Sequence, residues 1–337
     1  MRAFRPVVSV LLAIATGVLY FLAFPGPDLW PLSFVAFVPL IVALEGQTPK
    51  RAAFLGWLAG FTMTMIGFYW LLEMLKSFSG FGLPLCLLFT VIVCGYQSGR
   101  IGLLGWLSAR ISQKGYPGGF AFALGFAASE QAYPLMFPWT YAATVHQVPA
   151  LTQLGEIGGP ILVALPLVAV NVAVAELVFA WRAKRPARWK LVAVLAAAPV
   201  LAALYGAVRI PAVEARSAAA PKGRVGIVQA NISVEAKRRN PGEGLRRHLA
   251  LTEQLKRQGP LDLVVWSETS VTNAMKEEDL SVLVPRRVTT SLGIPALFGA
   301  VIVKNVEDTR RFVLYNSALL TDHDGQVAGR AVGQDGA

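Results

Sequence analysis

The sequence predicts a polytopic membrane α-helical bundle followed by a water-soluble α/β domain, and three observations carry that reading. Of 337 residues, 55% are hydrophobic and 15% charged, and the mean hydropathy is +0.53, too apolar for an ordinary soluble domain. The apolar residues crowd between Val7 and Ile210. Lys and Arg recur there in alternate connections, as expected where cytoplasmic loops retain basic residues.

Crossing a hydrocarbon core of about 30 Å takes roughly 20 helical residues. Seven runs are predicted as spans: Val7–Phe24, Trp30–Leu44, Phe54–Leu75, Leu83–Leu107, Phe120–Met136, Ile157–Trp181 and Leu191–Ile210. The second is short, which leaves a lightly tilted span or a partly re-entrant one. The first exceeds the apolar core of a secretory signal and has no small-residue cleavage site, so no cleaved leader is expected.

The basic connections hold Arg2 and Arg5, Lys50 and Arg51, Arg110 and Lys114, and then Arg182, Lys184, Arg185, Arg188 and Lys190. The intervening set holds Lys76 alone in one loop and no basic residue from Tyr133 to Gln153. The expected topology has a cytoplasmic amino terminus and everything after Ile210 on the far side of the membrane. Residues 1–221 hold 15 basic and 7 acidic side chains and residues 222–337 hold 16 and 13, so most of the +11 net charge lies in the membrane block. That charge is topology signal, and no nucleic-acid partner is expected.

Cys86 and Cys94 lie eight residues apart on one predicted helix, about 12 Å of rise, too far for a disulfide within it. They are expected to be small buried hydrophobes. His146, His248 and His323 are scattered, so no metal site is expected. Arg100 and Glu130 are the deepest ionisable residues in the spans. Each must face protein or water, as an interhelical polar contact, by snorkelling toward the cytoplasmic face, or as the lining of a lipid-headgroup cavity. Phe24-Pro25, Trp30-Pro31, Phe68-Tyr69-Trp70 and Phe137-Pro138-Trp139 fall at outer span ends, where interface anchoring is the plain expectation.

From Arg224 the texture changes. Val225–Ile232, Leu261–Trp266, Ala296–Val303 and Phe312–Thr321 are predicted strands, and another begins at Gln326–Arg330 after the turn Asp322-His323-Asp324-Gly325. Helices are predicted over Gly242–Gln258 and Leu280–Ser291. Apolar strands alternating with helices predict a sheet covered by helices. Chemistry in such sheets gathers beyond the carboxyl ends of strands, where Glu268 follows Val264-Val265-Trp266. A carboxylate walled by apolar residues is driven toward general-base range; a solvated helix-start residue is the alternative.

The motifs along the chain resemble those of the apolipoprotein N-acyltransferase family. They are Phe24-Pro25, Trp30-Pro31, Phe68-Tyr69-Trp70, Phe137-Pro138-Trp139, Leu154-Gly155-Glu156-Ile157-Gly158-Gly159 and Asn171 in the membrane block. Beyond it come Val228-Gln229-Ala230-Asn231-Ile232, Val265-Trp266-Ser267-Glu268-Thr269 and Phe298-Gly299-Ala300. The resemblance implies a transmembrane domain over 1–212 and a periplasmic α/β nitrilase-like (carbon-nitrogen hydrolase) sandwich over 222–337, incomplete, in the bacterial inner membrane. It implies an acyl chain taken from a membrane phospholipid, held as a Cys thioester, and passed to the N-terminal diacylglyceryl-cysteine of an apolipoprotein. The family uses a Glu-Lys-Cys triad with no cofactor: Glu as base, Cys as nucleophile, Lys supporting the oxyanion. The Glu falls on Glu268.

The other two members have no counterpart. The family's Lys lies just past a Gly-Arg pair, present as Gly329-Arg330, but no Lys follows Lys304 and no Cys follows Cys94. A frameshifted or truncated product, inactive as written, is therefore expected. Arg238 stands where the family has a Trp beside the active site. Lys304 is wrongly spaced to replace the missing cation and is expected to be a solvated edge residue. Two alternatives stay open: a non-catalytic membrane protein that binds lipid or lipoprotein, and, more weakly, an anchored nitrilase-type amidase. No oligomeric state is indicated.

Overall fold

The computed structural model describes residues 5–233, 236, 239–290, 292–305 and 312–332. Arg238, and the polar connection containing Asp308 and Arg310, lie outside them. The chain divides into two compact units, Met1–Ala219 and Ala220–Ala337.

The first unit is helical: α1 (Pro6–Ala23), α2 (Val38–Leu44), α3 (Pro49–Gly67), α4 (Tyr69–Ser79), α5 (Leu83–Gln97), α6 (Gly99–Gln113), α7 (Gly118–Ala132), α8 (Pro149–Thr152), α9 (Gly155–Arg182) and α10 (Trp189–Ala219). Among the described residues, four helices are long and apolar enough to cross a membrane: α1, α5 continued by α6, α9 and α10. The pair α3 and α4 makes a fifth if counted as one broken span. The expected second span is only a 3-10 turn at Trp30–Phe34 followed by the seven-residue α2. The expected third span is bent by 61°. The break falls at Phe68, whose ring, with that of Trp70, packs edge-on against Phe137. The expected last span runs nine residues past Ile210, to Ala219.

Small residues set how closely the helices pack. A Cβ on Gly56 would lie 2.2 Å from the carbonyl oxygen of Ile101, and one on Gly105 would lie 2.2 Å from that of Ala52. The α3 and α6 backbones therefore touch, as small-residue interfaces in membranes allow. In α9, Gly158 and Gly159 leave helical geometry, Gly159 with φ of +63°, so the Leu154–Gly159 motif marks a kink before Pro160.

One buried polar cluster joins these helices. Arg100 is 1% exposed and Glu130 3%. The Arg100 Nη1 donates to Glu130 Oε1 (3.2 Å) and to the Trp139 carbonyl (2.8 Å), and Nη2 donates to the Tyr20 hydroxyl (3.2 Å). Its guanidinium carbon lies 3.6 Å from the Trp139 ring centroid. Glu130 Oε1 also accepts the Tyr141 backbone N–H at 2.8 Å. Of the expectations for Arg100 and Glu130, the interhelical contact is the one found. Trp139 and Phe24 belong to the same cluster, their rings 5.8 Å apart. Trp139 thus caps the arginine, a role that interface anchoring does not describe. Asn171 pins the 3-10 turn, donating to the Ser33 carbonyl and accepting the Phe37 N–H, both at 2.8 Å.

The second unit is a mixed sheet with strands β1 (Val225–Val228), β2 (Leu263–Trp266), β3 (Val271–Lys276), β4 (Ala296–Asn305), β5 (Phe312–Thr321) and β6 (Val327–Val332). The order is β1-β2-β4-β5-β6, with β3 also beside β4. Strands β1, β2, β3 and β4 run parallel, and β4, β5 and β6 pair antiparallel. Helix α11 (Pro241–Lys256) and the short α12 (Leu280–Val284) accompany it; a π-helical turn, Pro285–Thr289, takes over where a longer helix was expected. Strand alternation places Val228, Val264, Trp266, Phe298, Ala300 and Ile302 on one face, in a core with Leu280, Val284 and Val288. The opposite face carries Ile227, 77% exposed, with Val225, Leu314 and Leu320. The expected cover of helices thus lies over one face.

Candidate active site

Strand β3, which the sequence did not predict, explains how Glu268 is held. Val264 and Val265 of β2 pair with Ala296 and Leu297, and Val271 of β3 pairs with Ala300 further along the same edge of β4. The chain therefore runs beside β4, breaks at Ser267–Ser270, and resumes. Glu268 sits in that break, just past the carboxyl end of β2.

One backbone conformation and two contacts fix the break. Thr269 has φ of +51°, an uncommon conformation for a β-branched residue and a point of backbone strain. Ser270 Oγ donates to the Gly299 carbonyl at 3.1 Å. A Cβ on Gly299 would lie 2.5 Å from the Thr269 nitrogen and 3.0 Å from the Glu268 Cα, so only glycine lets the crossing backbone lie this close. Phe298-Gly299-Ala300 is thus the seat of the Glu268 turn. Gly299→Ala is expected to push that turn off β4 at a cost of about 1–3 kcal/mol. Hydrogen exchange at residues 267–270 should accelerate, and unchanged exchange would contradict the packing argument.

Glu268 itself is exposed, so the apolar wall expected around it is not found. Asn316 Nδ2 on β5 donates to its Oε1 at 2.5 Å, and Oε2 has no hydrogen-bond partner among the described residues. A carboxylate so placed can accept a proton at Oε2 while Asn316 orients it. On the other side of the break, His248 of α11 is fully buried. Its Nδ1 lies 2.7 Å from the Gly244 carbonyl, which marks it as the protonated nitrogen and leaves Nε2 to accept from Ser267 Oγ at 3.1 Å. Trp266 Nε1 donates to Thr252 Oγ1, one turn further along α11, at 3.0 Å. Helix α11 thereby grips the residues immediately before Glu268.

Sequence reasoning placed Glu268 at the strand end but missed Asn316, Ser267 and His248 as its surroundings. The available signals were modest: Asn316-Ser317 interrupts an apolar strand, and Gly244, His248 and Thr252 recur every four residues on one helical face.

Lys304 is not at this site. It stands four residues beyond Ala300, about 13 Å along the strand, with Nζ 3.5 Å from Glu277 Oε2. Arg330 of the Gly329-Arg330 pair reaches Glu277 Oε1 at 2.6 Å. Desolvation pushes the Glu277 carboxyl upward, but the hydrogen bond and charge of Arg330, with the charge of Lys304, outweigh it and hold the group below its ordinary range. Lys304 is a paired strand residue. Cys86 and Cys94 are buried in α5, in the other unit. Among the described residues, no group of His, Cys, Asp and Glu could hold a metal ion.

Residues 16–173 match the family model described as the apolipoprotein N-acyltransferase N-terminal domain. Over 331 residues the chain is 25% identical to the apolipoprotein N-acyltransferase of Geobacter metallireducens, an alignment covering 95% of this chain and 62% of that one. Over 274 residues it is 31% identical to that of Azotobacter vinelandii, covering 77% and 51%. Over 322 residues it is 27% identical to that of Pseudomonas putida, covering 92% and 61%. Together these matches support the apolipoprotein N-acyltransferase family for this chain. It spans between half and two thirds of the length of these relatives. The family match covers the part of the helical unit that holds Arg100, Glu130 and Asn171, and the longer alignments extend over most of the chain.

Proposed function

We propose that residues 1–337 are the membrane-embedded and base-bearing portion of an apolipoprotein N-acyltransferase. The single observation that carries this is the Glu268 carboxylate, exposed in the break between β2 and β3 with one oxygen held by Asn316. In the reaction the family implies, Glu268 takes the proton of a Cys thiol. The thiolate attacks an ester carbonyl of a membrane phospholipid, the C–O bond breaks, and a lysophospholipid leaves with the proton. The α-amine of a diacylglyceryl-cysteine on an apolipoprotein then attacks the thioester. An amide forms, the C–S bond breaks and the thiol is restored. Lys supports the oxyanion in both halves. No resident metal or organic cofactor takes part in this scheme.

Glu268 is the one triad member that these 337 residues carry, because no Cys follows Cys94 and no Lys follows Lys304. A polypeptide of residues 1–337 alone is thus proposed to be catalytically silent. Purified in detergent with phospholipid and a diacylated lipopeptide, it should transfer no acyl chain and trap no thioester. An acyl-thioester on Cys86 or Cys94 would overturn this reading.

We place the protein in the bacterial inner membrane with seven spans, counting the shorter apolar segment Trp30–Leu44 and α7 with the longer helices. The domain over 1–212 is the transmembrane part and 222–337 is a nitrilase-like sandwich in the periplasm. The basis is the alternation of basic connections, ending in the five Lys and Arg between Arg182 and Lys190. Reporter fusions after Arg185 should report cytoplasm and fusions after Arg224 periplasm. A cytoplasmic result at Arg224 would overturn the span count.

A further inference from the structure

Between α7, α9 and α10 lies a cavity of about 840 Å³, within the roughly 300–1,000 Å³ usual for small-ligand sites. Phe120, Leu162, Leu165, Phe179, Leu191 and Leu195 give it mostly apolar walls. Its charged lining is Glu45, Glu176, Arg185 and Arg188.

Those charges are organised by one carboxylate. Glu176 is 3% exposed. It accepts Arg185 Nη1 at 2.8 Å and Nη2 at 3.1 Å, Arg188 Nε at 3.1 Å and Nη2 at 2.7 Å, and the Arg188 backbone N–H at 3.3 Å. Two guanidiniums are thus clamped side by side with a net charge of one, and neither is sealed off, Arg185 being 35% and Arg188 56% exposed. A guanidinium has five N–H donors; Glu176 takes up those of Arg188 on Nε and Nη2, so donors remain for an anion. A forked pair of this kind suits phosphate oxygens.

A second cavity of about 410 Å³ shares Ile41, Glu45, Gly118 and Phe179 with the first, and adds Gln47, Ser108, Ser112, Gln113 and Tyr116. An apolar slot with charged and polar groups at its side fits a molecule with a hydrocarbon tail and a polar head. The segments around the mouth, 45–51, 110–116 and 176–190, hold nine basic side chains and two acidic ones. Topology signal accounts for the basic excess, but it does not account for two arginines pinned by a buried carboxylate at the opening of an apolar slot.

We propose that this is a binding site for an anionic phospholipid, with one acyl chain in the slot and the phosphate on the Arg185–Arg188 pair. Basic pockets between membrane helices are suited to such headgroups. The site lies wholly within the first unit and uses no residue of the Glu268 region. It is a site for a resident lipid, separate from the acyl donor, and its failure would leave the reading of Glu268 untouched.

The test is native mass spectrometry of the purified 337-residue chain in detergent, with added phosphatidylglycerol or phosphatidylcholine. The parent chain should retain one phosphatidylglycerol with at least a tenfold preference over phosphatidylcholine. Arg188→Gln, which leaves Arg185 on Glu176, should lower phosphatidylglycerol retention about tenfold. Ala169→Trp fills the slot while every charge stays in place, and should abolish retention even if Arg188→Gln folds poorly. Equal retention of the two lipids by the parent, or undiminished retention in Ala169→Trp, would overturn the proposal.

Discussion

Replacing Glu268 by Gln in a chain extended past Arg330 with the Lys- and Cys-bearing segment of a relative is expected to lower acyl-enzyme formation about 100- to 10,000-fold. That is the usual worth of general-base assistance. Gln keeps the size of the side chain and a carbonyl oxygen for the Asn316 amide, but it removes the charge and the basic lone pair. The loss should appear first in the half-reaction that forms the thioester, because there the Cys proton must leave. Folding should be preserved, since Glu268 is exposed and makes one side-chain hydrogen bond. Single-turnover labelling of the Cys with a phospholipid donor measures the effect. Equal rates would reduce Glu268 to a turn residue held by Asn316.

Arg100→Met is expected to be the most destabilising single change in the helical unit. It leaves Glu130 buried and without its cation, and it removes the donors to Tyr20 and to the Trp139 carbonyl. Removing one partner of a buried pair costs about 3–5 kcal/mol. The chain should lose its monodisperse elution in detergent or melt well below the parent. Arg100→Met with Glu130→Gln should recover much of the loss, because no uncompensated charge remains and neighbouring sites couple. A single mutant as stable as the parent would mean that Glu130 is already neutral or hydrated, and that the cluster does not hold the helices together.

The two halves of the molecule were unequally legible. Long apolar runs announce themselves by length, so α1, α9 and α10 fall where hydropathy puts them. Broken elements do not: the rings at the Phe68 bend pack on Phe137, which is far away in sequence. Arg100 and Glu130 each stood out as costly in lipid, yet their pairing depends on how α6 and α7 rotate toward each other, which no local pattern encodes. In the second unit the parallel strands were visible as apolar runs. Strand β3 was not, because Val271-Thr272-Asn273-Ala274-Met275-Lys276 is too polar to stand out and is a strand only by continuing the line of β2. Glu268 was legible because an apolar run ends abruptly at it. The contacts that hold it come from Gly299 and Asn316, and their reason for being there appears only once β4 and β5 lie alongside.

Residues 1–337 are proposed to supply the membrane domain and the base, and they carry no Cys after Cys94 and no Lys after Lys304. Complementation of a bacterial strain depleted of its own apolipoprotein N-acyltransferase tests this most directly. Residues 1–337 expressed alone should not restore growth. The same chain continued from Gly329-Arg330 with the corresponding segment of the Azotobacter vinelandii relative should restore it, and Glu268→Gln should abolish the rescue. Growth supported by residues 1–337 alone would contradict the account.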